Sequence, residues 1–428
     1  MARVRPFAAY RYTRSGDISA LTAPPYDVIS PQQRAALLAK DEHNVVALEL
    51  PDGPLDPTVP GNRYETGAAT WRDWRAQGVL AQDAEPSIYM LEQRTRHQDR
   101  VVRRRAFIIE VGLEPFSAGV VLPHERTLPK ALGDRFELIR ATHANLSQVL
   151  GLFDDAEAAT DTIFDAIATG TPIATATDAD GVESVLWATS DPVIAETLAS
   201  VFARKQIFIA DGHHRYTTAL AYRDERRASA ADHPLDPAYD FVMMALVNMD
   251  DPELVVMPTH RVADAESDFD PEAFWGALTP LFNVTDLTAD DSGAVLEGID
   301  RPAYLVAVRG DARPKLVVLR DDVDLDDAIP LERSQAWKHL DVAVLQELIL
   351  DPILGVHQDR PETLDRLGFV KDAHGAFRQT AEHDVVFVLR ATRMDQLRAV
   401  ALAGETMPQK STYFYPKLLS GLVFRSAE

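Results

Sequence analysis

The chain has 428 residues, of which 46% are hydrophobic and 25% charged, as in soluble globular proteins. This length exceeds one ordinary core, so two or three domains or one large elaborated domain are expected. The net charge of -23 disfavours nucleic acid and anionic membranes as partners, because both attract a basic surface. The absence of cysteine excludes disulfides and thiolate zinc sites and permits a reducing cytoplasm.

The sequence also lacks the marks of membrane insertion and export. No apolar run approaches the roughly 18 residues of a membrane helix, and the first residues, MARVRPFAAYRYTRSGDI, lack the apolar core of a secretory signal. We therefore expect a cytoplasmic protein with an acidic, solvated surface. The sequence does not determine its oligomeric state.

The N-terminal elements follow from capping residues and apolar spacing. Ser30 and Pro31 suit the start of a helix, and Val, Ile, Phe and Tyr cluster in two segments separated by the turn 97-HQDR. The predicted elements are a helix over 31–41, a strand over 45–51, a helix over 63–78, and paired strands over 87–96 and 101–113.

Helices and strands interleave irregularly through the rest of the chain, which predicts a mixed α+β fold. Predicted strands cover 182–190, 207–210, 240–251, 253–262, 303–310, 315–321 and 384–392; predicted helices begin near Tyr216 and cover 341–355 and 394–404. Composition and loops suggest four segments: an N-terminal α/β region over 1–155, a core over 156–268, a small acidic insertion over 269–328, and a C-terminal region over 329–428 that completes the core.

The segment 207-IFIADGHHRYTTAL carries the clearest functional signal. An apolar strand runs into Asp211, Gly212, His213, His214 and Arg215, and a helix follows. The first N–H groups and the dipole of a helix favour an anion, glycine lets a ligand approach the backbone, and arginine can bind phosphate bidentately. This corner therefore predicts a phosphate-binding site.

Other interpretations of the same corner remain open. Asp211 and Gly212 are also ordinary turn residues, and the two histidines can simply pack. Asp211 repels phosphate and suits a magnesium ligand, or a partner that orients a histidine. A metal site made by His213 and His214 alone is less favoured, because adjacent side chains at a helix start diverge.

The pieces PYDVIS, PHERTLPK, DGHHRYTTAL, VMPTHR and MPQKSTYFYPKLLSGL resemble a bacterial domain-of-unknown-function family, numbered ten-fifteen, across the whole chain. The DGHHR run itself resembles the phosphate-binding motif of the ParB/sulfiredoxin superfamily. Its form is that of the free-serine kinases, which transfer phosphate from a nucleotide to L-serine. The resemblance implies a ParB/sulfiredoxin-like core around this corner, with further α/β elaborations.

The kinase resemblance also implies roles for individual residues. Gly212 to Arg215 would bind the phosphates of ATP or ADP, and Asp211 would lie near Mg²⁺ or the acceptor hydroxyl. Those kinases use an upstream glutamate as the base, and we infer Glu125 for that position, with His124 and Thr127 beside it in a loop. A plain surface loop remains the alternative for this segment.

Three further segments carry polar candidates for substrate or phosphate binding. Arg135 and Asn145 belong to a predicted helix and its C-terminal turn, which a solvated surface also explains. His260 and Arg261 follow an apolar strand, where a paired core residue is an equally open interpretation. Lys410 precedes aromatic residues without the glycine spacing of a Walker loop, yet it could still reach a phosphate.

Taken together, these residues predict a magnesium- and nucleotide-dependent kinase that phosphorylates a small hydroxylated acceptor, with free L-serine as the implied substrate. Two alternatives remain. One is a regulator that binds a nucleotide without phosphoryl transfer, and the other is a metal-dependent phosphohydrolase with His124, His213 and His214 as ligands. The sequence does not distinguish ATP from ADP or pyrophosphate as donor, and the role of residues 270–325 stays unassigned.

Overall fold

A computed structural model describes residues 2–125, 129–229, 234–287, 293–311 and 313–428. The chain divides into two compact units. The first consists of Met1–Pro123, Thr127–Val255 and Pro416–Glu428, and the second of His124–Arg126 and Val256–Tyr415. The C-terminal segment thus returns to the unit that contains the N-terminus.

The first unit is built on strands, most of which are short. They are β1 (Val4–Arg5), β2 (Tyr10–Tyr12), β3 (Gly16–Asp17), β4 (Leu80–Gln82), β5 (Ile88–His97), β6 (Arg100–Gly112), β7 (Val121–Leu122), β8 (Ala144–Asn145), β9 (Val149–Phe153), β10 (Ala174–Thr177), β11 (Glu183–Thr189), β12 (Ile207–Asp211), β13 (Phe241–Asn248) and the C-terminal β22 (Arg425–Ser426).

Seven helices of the described residues belong to the same unit. They are α1 (Pro31–Lys40), α2 (Val46–Glu49), α3 (Arg63–Ala76), α4 (Pro129–Thr142), α5 (Asp161–Ala168), α6 (Pro192–Phe202) and α7 (His213–Ser229), with 3-10 turns at Tyr26–Val28, Phe116–Ala118 and Ala238–Asp240.

A mixed sheet of ten strands, counted over the described residues, organises the first unit. Its order is β3-β10-β11-β5-β6-β13-β9-β12-β7, and β1 pairs with β6. The pairs β3–β10, β9–β13 and β7–β12 are parallel, and the other pairs are antiparallel. The central β13, FVMMALVN, is a continuous apolar run, as expected for a strand covered on both faces. This sheet confirms the mixed α/β class.

The second unit holds most of the remaining elements. Its strands are β14 (Val255–Met257, at the boundary), β15 (His260–Ala263), β16 (Phe282–Asp286), β17 (Ala303–Val308), β18 (Lys315–Leu319), β19 (Leu367–Val370), β20 (Val385–Val388) and β21 (Tyr413–Tyr415). Its helices are α8 (Pro271–Leu278), α9 (Leu325–Ala328), α10 (Gln335–Lys338), α11 (Asp341–Leu345), α12 (Pro361–Leu364), α13 (Ala373–Arg378) and α14 (Met394–Leu402). A π-helix spans Gln346–Leu350, and 3-10 turns span Ala294–Gly298 and Gln379–Ala381.

A second sheet, of six strands within the described residues, has the order β16-β18-β17-β20-β15-β19. Its pairs are antiparallel. The strands predicted for the small acidic insertion, β17 and β18, therefore share a sheet with β15 and β20 from outside it. Likewise, the segments 1–155 and 156–268 contribute strands to the same ten-stranded sheet. The two compact units are consequently not the four segments suggested by composition.

Several predicted elements are confirmed with their capping residues. Ser30 caps α1 by accepting a hydrogen bond from the Gln33 N–H, and the Gln33 side chain accepts from the Ser30 N–H, which completes a capping box. The hairpin of β5 and β6 pairs His97 with Arg100 around its turn. The helix α3 is confirmed over most of its predicted span.

Two local predictions were wrong. The strand predicted over 45–51 is the short helix α2 instead, because Asn44 accepts a hydrogen bond from the Val46 N–H and starts a helical turn. The helix predicted to begin near Tyr216 begins at His213, so both histidines and Arg215 lie in its first turn. No helix among the described residues is long and apolar enough to span a membrane.

Candidate functional site

The DGHHR corner lies in the first unit, where β12 ends and α7 begins. The pairing of β12 with β9 shifts register between Ile209 and Asp211, so an irregularity precedes the corner. Such shifts redirect the side chains that follow them. The Tyr216 N–H donates to the Gly212 carbonyl at 3.0 Å, which is the first turn of a 17-residue helix. The N–H groups ahead of Tyr216 therefore have no acceptor within the helix.

Gly212 is required by the geometry of the corner. Its φ is +90°, in the left-handed region that disfavours side chains. A Cβ atom placed there would lie 2.9 Å from Nε and 3.0 Å from Cζ of Arg215. The Arg215 guanidinium therefore rests directly against the Gly212 backbone, and a larger residue would displace it.

Asp211 is held between two cations. Its Oδ2 accepts a hydrogen bond from Nζ of Lys417 at 2.5 Å, and its Oδ1 lies 3.4 Å from Nη2 of Arg215. Burial alone would raise the pKa of Asp211, but the charges of Lys417 and Arg215 outweigh burial and hold that pKa well below its usual range. The carboxylate is therefore ionised at neutral pH and is a weak proton acceptor.

Backbone carbonyls position the two cations. Nη1 of Arg215 donates to the Gln148 carbonyl. The side-chain amides of Gln93 and Gln148 donate to the carbonyls of Lys417 and Leu419, each at 3.0 Å. These two bonds tie the C-terminal segment to the main sheet, so that Lys417 reaches the corner.

A pocket opens beside the corner within the same unit. It encloses about 410 Å³, part of it open to solvent, and its lining includes Glu49, Arg135, Ser147 and Arg215. The pocket thus places a carboxylate and two guanidinium groups next to the DGHHR corner.

The pocket charges are buried and paired. Nη1 of Arg135 lies 3.2 Å from Oε2 of Glu49, and Nε donates to Asp134 at 2.8 Å. Its guanidinium carbon lies 4.2 Å from the ring centre of Tyr26. Burial lowers the pKa of Arg135, but Glu49 and Asp134 more than compensate, so that it stays above its usual value. Burial also raises the pKa of Tyr26 to about 12, and Arg135 therefore remains a cation facing a neutral phenol.

The two histidines of the motif differ in burial. His213 is buried, His214 is partly exposed, and the charge of His213 is among the influences that lower the Asp211 pKa. Asn145 also lines the pocket, but its Oδ1 accepts from the Met243 N–H and from Nη1 of Arg425, both at 3.1 Å. Asn145 therefore joins the C-terminal strand to the main sheet in addition to lining the pocket.

The other predicted residues that the structure describes belong to the second unit. His124 is fully buried with Nε2 2.8 Å from Oγ1 of Thr412, and Oε1 of Glu125 accepts from the Ser411 N–H at 3.0 Å. His260 and Arg261 are buried, and Lys410 is exposed with a φ of +55°. Thr127 lies outside the described residues.

The sequence reasoning missed Lys417, Glu49 and Tyr26. Lys417 follows the quoted aromatic run 413-YFYP, but nothing local shows that it meets a residue 206 positions earlier. Glu49 lies in the segment predicted as a strand, which concealed its burial beside Arg135. Among the described residues, no three or more His, Asp or Glu side chains cluster in a way that could hold a metal ion.

The family model described as "Protein of unknown function (DUF1015)" matches residues 4–343. No curated protein matches the chain. Among solved structures, a point variant of a free serine kinase in complex with ADP is 10% identical, with 72% of this chain and 87% of that chain covered and a TM-score of 0.36. A free serine kinase in complex with AMP is 12% identical, with 72% and 86% covered and a TM-score of 0.35. A conserved hypothetical protein from Pyrococcus furiosus is 12% identical, with 73% and 92% covered and a TM-score of 0.35.

Proposed function

We propose that this chain, which belongs to the family described as "Protein of unknown function (DUF1015)", is a nucleotide-dependent kinase for a small hydroxylated amino acid, with free L-serine as its acceptor. The observation that carries the proposal is the corner itself. A helix N-terminus, Arg215 and Lys417 converge on one partly buried carboxylate, Asp211, beside a pocket with the charges of an amino-acid site.

The corner supplies the features that phosphate binding needs. The start of α7 offers N–H groups and the positive end of the helix dipole, and Gly212 lets a phosphate approach the backbone. Arg215 and Lys417 carry two positive charges and Asp211 carries one negative charge, so the group has a net positive charge. His213 and His214 add donors in the first turn, and we assign the nucleotide phosphates to this group.

The adjacent pocket suits a zwitterion. Arg135 and Arg215 offer partners for an α-carboxylate, and Glu49 offers a partner for an α-ammonium group. A ligand held by both groups would direct its short side chain toward the corner. A hydroxyl on that side chain would then meet the terminal phosphoryl group, as phosphoryl transfer requires.

Asp211 is the carboxylate that would hold Mg²⁺ together with the phosphate oxygens of the nucleotide. Mg²⁺ commonly takes one or two carboxylates and completes its shell with phosphate and water, so a single aspartate fits this ion. The bound cation would neutralise charge on the transferred phosphoryl group. In this arrangement Lys417 turns from Asp211 toward a phosphate oxygen.

The proton of the acceptor hydroxyl needs a base other than Asp211, whose lowered pKa makes it a weak one. Glu49 is the carboxylate in the same pocket, and we propose that one of its oxygens accepts that proton while the other pairs with the α-ammonium group. The hydroxyl oxygen forms a bond to phosphorus while the bond from phosphorus to the nucleotide breaks. ATP would yield ADP, and ADP would yield AMP. Glu125, in the second unit, remains the other candidate for the base.

Phosphorus NMR tests the proposal directly. The purified protein is incubated with Mg²⁺, ATP or ADP, and L-serine, and we expect a new phosphomonoester signal. Asp211→Asn should abolish the signal, whereas Asp99→Asn, at the exposed turn of the β5–β6 hairpin, should retain it. Two further variants, Glu49→Gln and Glu125→Gln, are run in parallel to identify the base. The variant that loses turnover but keeps its affinity for the nucleotide marks the residue that accepts the proton.

Other outcomes would contradict the kinase proposal. Unchanged nucleotide that nevertheless binds would indicate a regulatory protein without phosphoryl transfer. Free phosphate without a phosphomonoester would indicate hydrolysis. The experiment is then repeated with a pool of hydroxylated amino acids in place of L-serine. A phosphomonoester that forms only with the pool would show that the acceptor was incorrect, and its absence would show that the reaction was incorrect.

A further inference from the structure

The second unit contains a buried cation that the described residues leave without a carboxylate partner. Arg261 lies on β15 and is only 3% exposed. Its guanidinium donates to the carbonyls of Thr259, Gln409 and Lys410, the last two at 3.2 and 3.1 Å. No carboxylate of the described residues lies within 4.0 Å of it, the limit for an ion pair. Buried charges are normally paired, so this guanidinium lacks its usual counter-ion.

The electrostatics of Arg261 agree with this geometry. Burial lowers its pKa to about 10, because the opposing charge of Glu125 offsets only part of the effect of burial. The guanidinium carbon also lies 4.8 Å from the ring centre of Phe369. A cation in this environment would be stabilised by an anion at close range.

Arg261 lines a pocket that lies entirely within the second unit. The pocket is partly open to solvent, and Leu345, Leu350, Leu364 and Phe369 contribute its apolar walls. Arg261 is the charged residue of the lining, and the other polar residues there are glutamines. A ligand for this pocket therefore needs one anionic group and an apolar body.

Two further observations point to a ligand here. Nε2 of Gln358 is buried in the pocket lining and has no hydrogen-bond partner among the described residues. The neighbouring Gln346 begins a π-helix, Gln346–Leu350, and its side chain donates to the Val356 carbonyl at 2.8 Å. π-Helical turns cost regular hydrogen bonding and occur frequently at functional sites.

The number of available donors selects the anion. An arginine side chain has five N–H donors, and Arg261 uses at least three on carbonyls. The two that remain are Nε–H and one N–H of Nη1, and with the unpaired amide of Gln358 they can serve an anionic group that carries a single charge. A phosphate dianion would bring more charge and more acceptors than these donors can satisfy.

We propose that the pocket formed by Arg261, Gln358 and the leucines of the second unit binds a small aliphatic monocarboxylate, at a site independent of the phosphate-binding corner. This site does not depend on the kinase proposal, because none of its residues belongs to the first unit. A ligand bound here would stabilise the second unit by binding to its folded form alone.

Calorimetry on the full chain tests the site with a defined series: butanoate, 3-methylbutanoate and hexanoate, each paired with the corresponding neutral amide. We expect at least one acid to bind about tenfold or more tightly than its amide, because a charged hydrogen-bonded pair is worth that factor. Arg261→Met should abolish the preference, whereas Arg378→Met, an exposed arginine of the same unit, should retain it.

A second variant guards against a folding defect in Arg261→Met. Leu364→Trp fills the pocket but retains Arg261, and it should also remove binding. Three results would overturn the proposal: no acid of the series binds, acid and amide bind equally, or the acid binds Arg261→Met as tightly as wild type. Binding of inorganic phosphate in preference to every acid would also overturn it.

Discussion

Nζ of Lys417 lies 2.5 Å from Oδ2 of Asp211, although 206 residues separate the two in the chain. Each side chain is about one-fifth exposed, so the pair is largely shielded from water. The aspartate belongs to the DGHHR corner and the lysine to the C-terminal segment. The C-terminal segment therefore completes the candidate phosphate site, and its removal should disable that site.

The Asp211–Lys417 pair should contribute measurably to stability. We expect Lys417→Met to lower the free energy of unfolding by about 2–4 kcal/mol, because it leaves a partly buried carboxylate with Arg215 alone. Urea denaturation should show that Asp211→Asn lowers the free energy of unfolding less in the Lys417→Met background than in wild type. The expected coupling free energy is about 1–3 kcal/mol. Lys40→Met, at an exposed position of the same unit, should have almost no effect. If the effects of the two substitutions on the free energy of unfolding were strictly additive, the pairing of Asp211 with Lys417 would be contradicted.

Acidification should weaken the same pair. The folded-state pKa of Asp211 lies below its unfolded value of about 3.9, so the carboxylate stabilises the fold above that value. This contribution is lost as the pH falls below about 4 toward the folded pKa. The difference in unfolding free energy between wild type and Asp211→Asn should thus shrink between pH 7 and pH 3. A difference that stays constant over this interval would be inconsistent with an ionised, paired Asp211.

Gly212→Ala should disturb both the backbone and Arg215. The positive φ alone costs roughly 1–2 kcal/mol for a residue with a side chain, and the added Cβ would also displace the guanidinium. Gly78→Ala is a matched control, because Gly78 has a φ of +73° but nothing within 4 Å of the added Cβ. We expect both variants to lose stability and Gly212→Ala alone to lose affinity for ADP, as measured by calorimetry. Equal ADP affinity in the two variants would refute the role assigned to the corner.

His260 should make the second unit sensitive to moderate acid. Burial, followed by the charge of Arg261, lowers the pKa of His260 to about 4, below the unfolded value of about 6.5. As the pH falls, the unfolded chain therefore binds a proton at a higher pH than the folded chain does. The stability that neutral His260 contributes above pH 6.5 is lost as the pH falls toward 4. We expect wild type to lose about 1–3 kcal/mol between pH 7 and pH 4.5 through this group.

His260→Asn tests this pH dependence. Nδ1 of His260 accepts from the Leu389 N–H at 3.2 Å, and the asparagine oxygen can replace that acceptor without titrating. The variant should show a flatter pH dependence than wild type. His374→Asn, at an exposed position of the same unit, should keep the wild-type slope. Parallel slopes for wild type and His260→Asn would show that this histidine does not titrate as described.

Much of the local structure could be read from the sequence because its causes are local. The capping box of α1 needs only Ser30 and Gln33, three residues apart, and the hairpin of β5 and β6 needs only its own alternation and turn. The strand-to-helix corner at Asp211–Arg215 was predicted for the same reason. The start of its helix was misplaced by three residues, because helix ends depend on hydrogen bonds that the sequence specifies weakly.

The division into units could not be read in this way. The segment 269–328 looked like a separate insertion because it is acidic, yet its strand β17 pairs with β20, about 80 residues later. Strand pairing depends on backbone hydrogen bonds, which carry little information about residue type. Composition therefore cannot determine which strands share a sheet.

The sequence by itself determined the family, the mixed α/β class, and a corner that combines an acid, a glycine, two histidines and an arginine. Only the tertiary structure decided which charges meet there. It placed Lys417 on Asp211, set Arg135 against Glu49 beside the corner, and assigned Glu125 to the other unit. The physical reason is that ion pairs act over a few ångströms in space, whatever the number of residues between the partners.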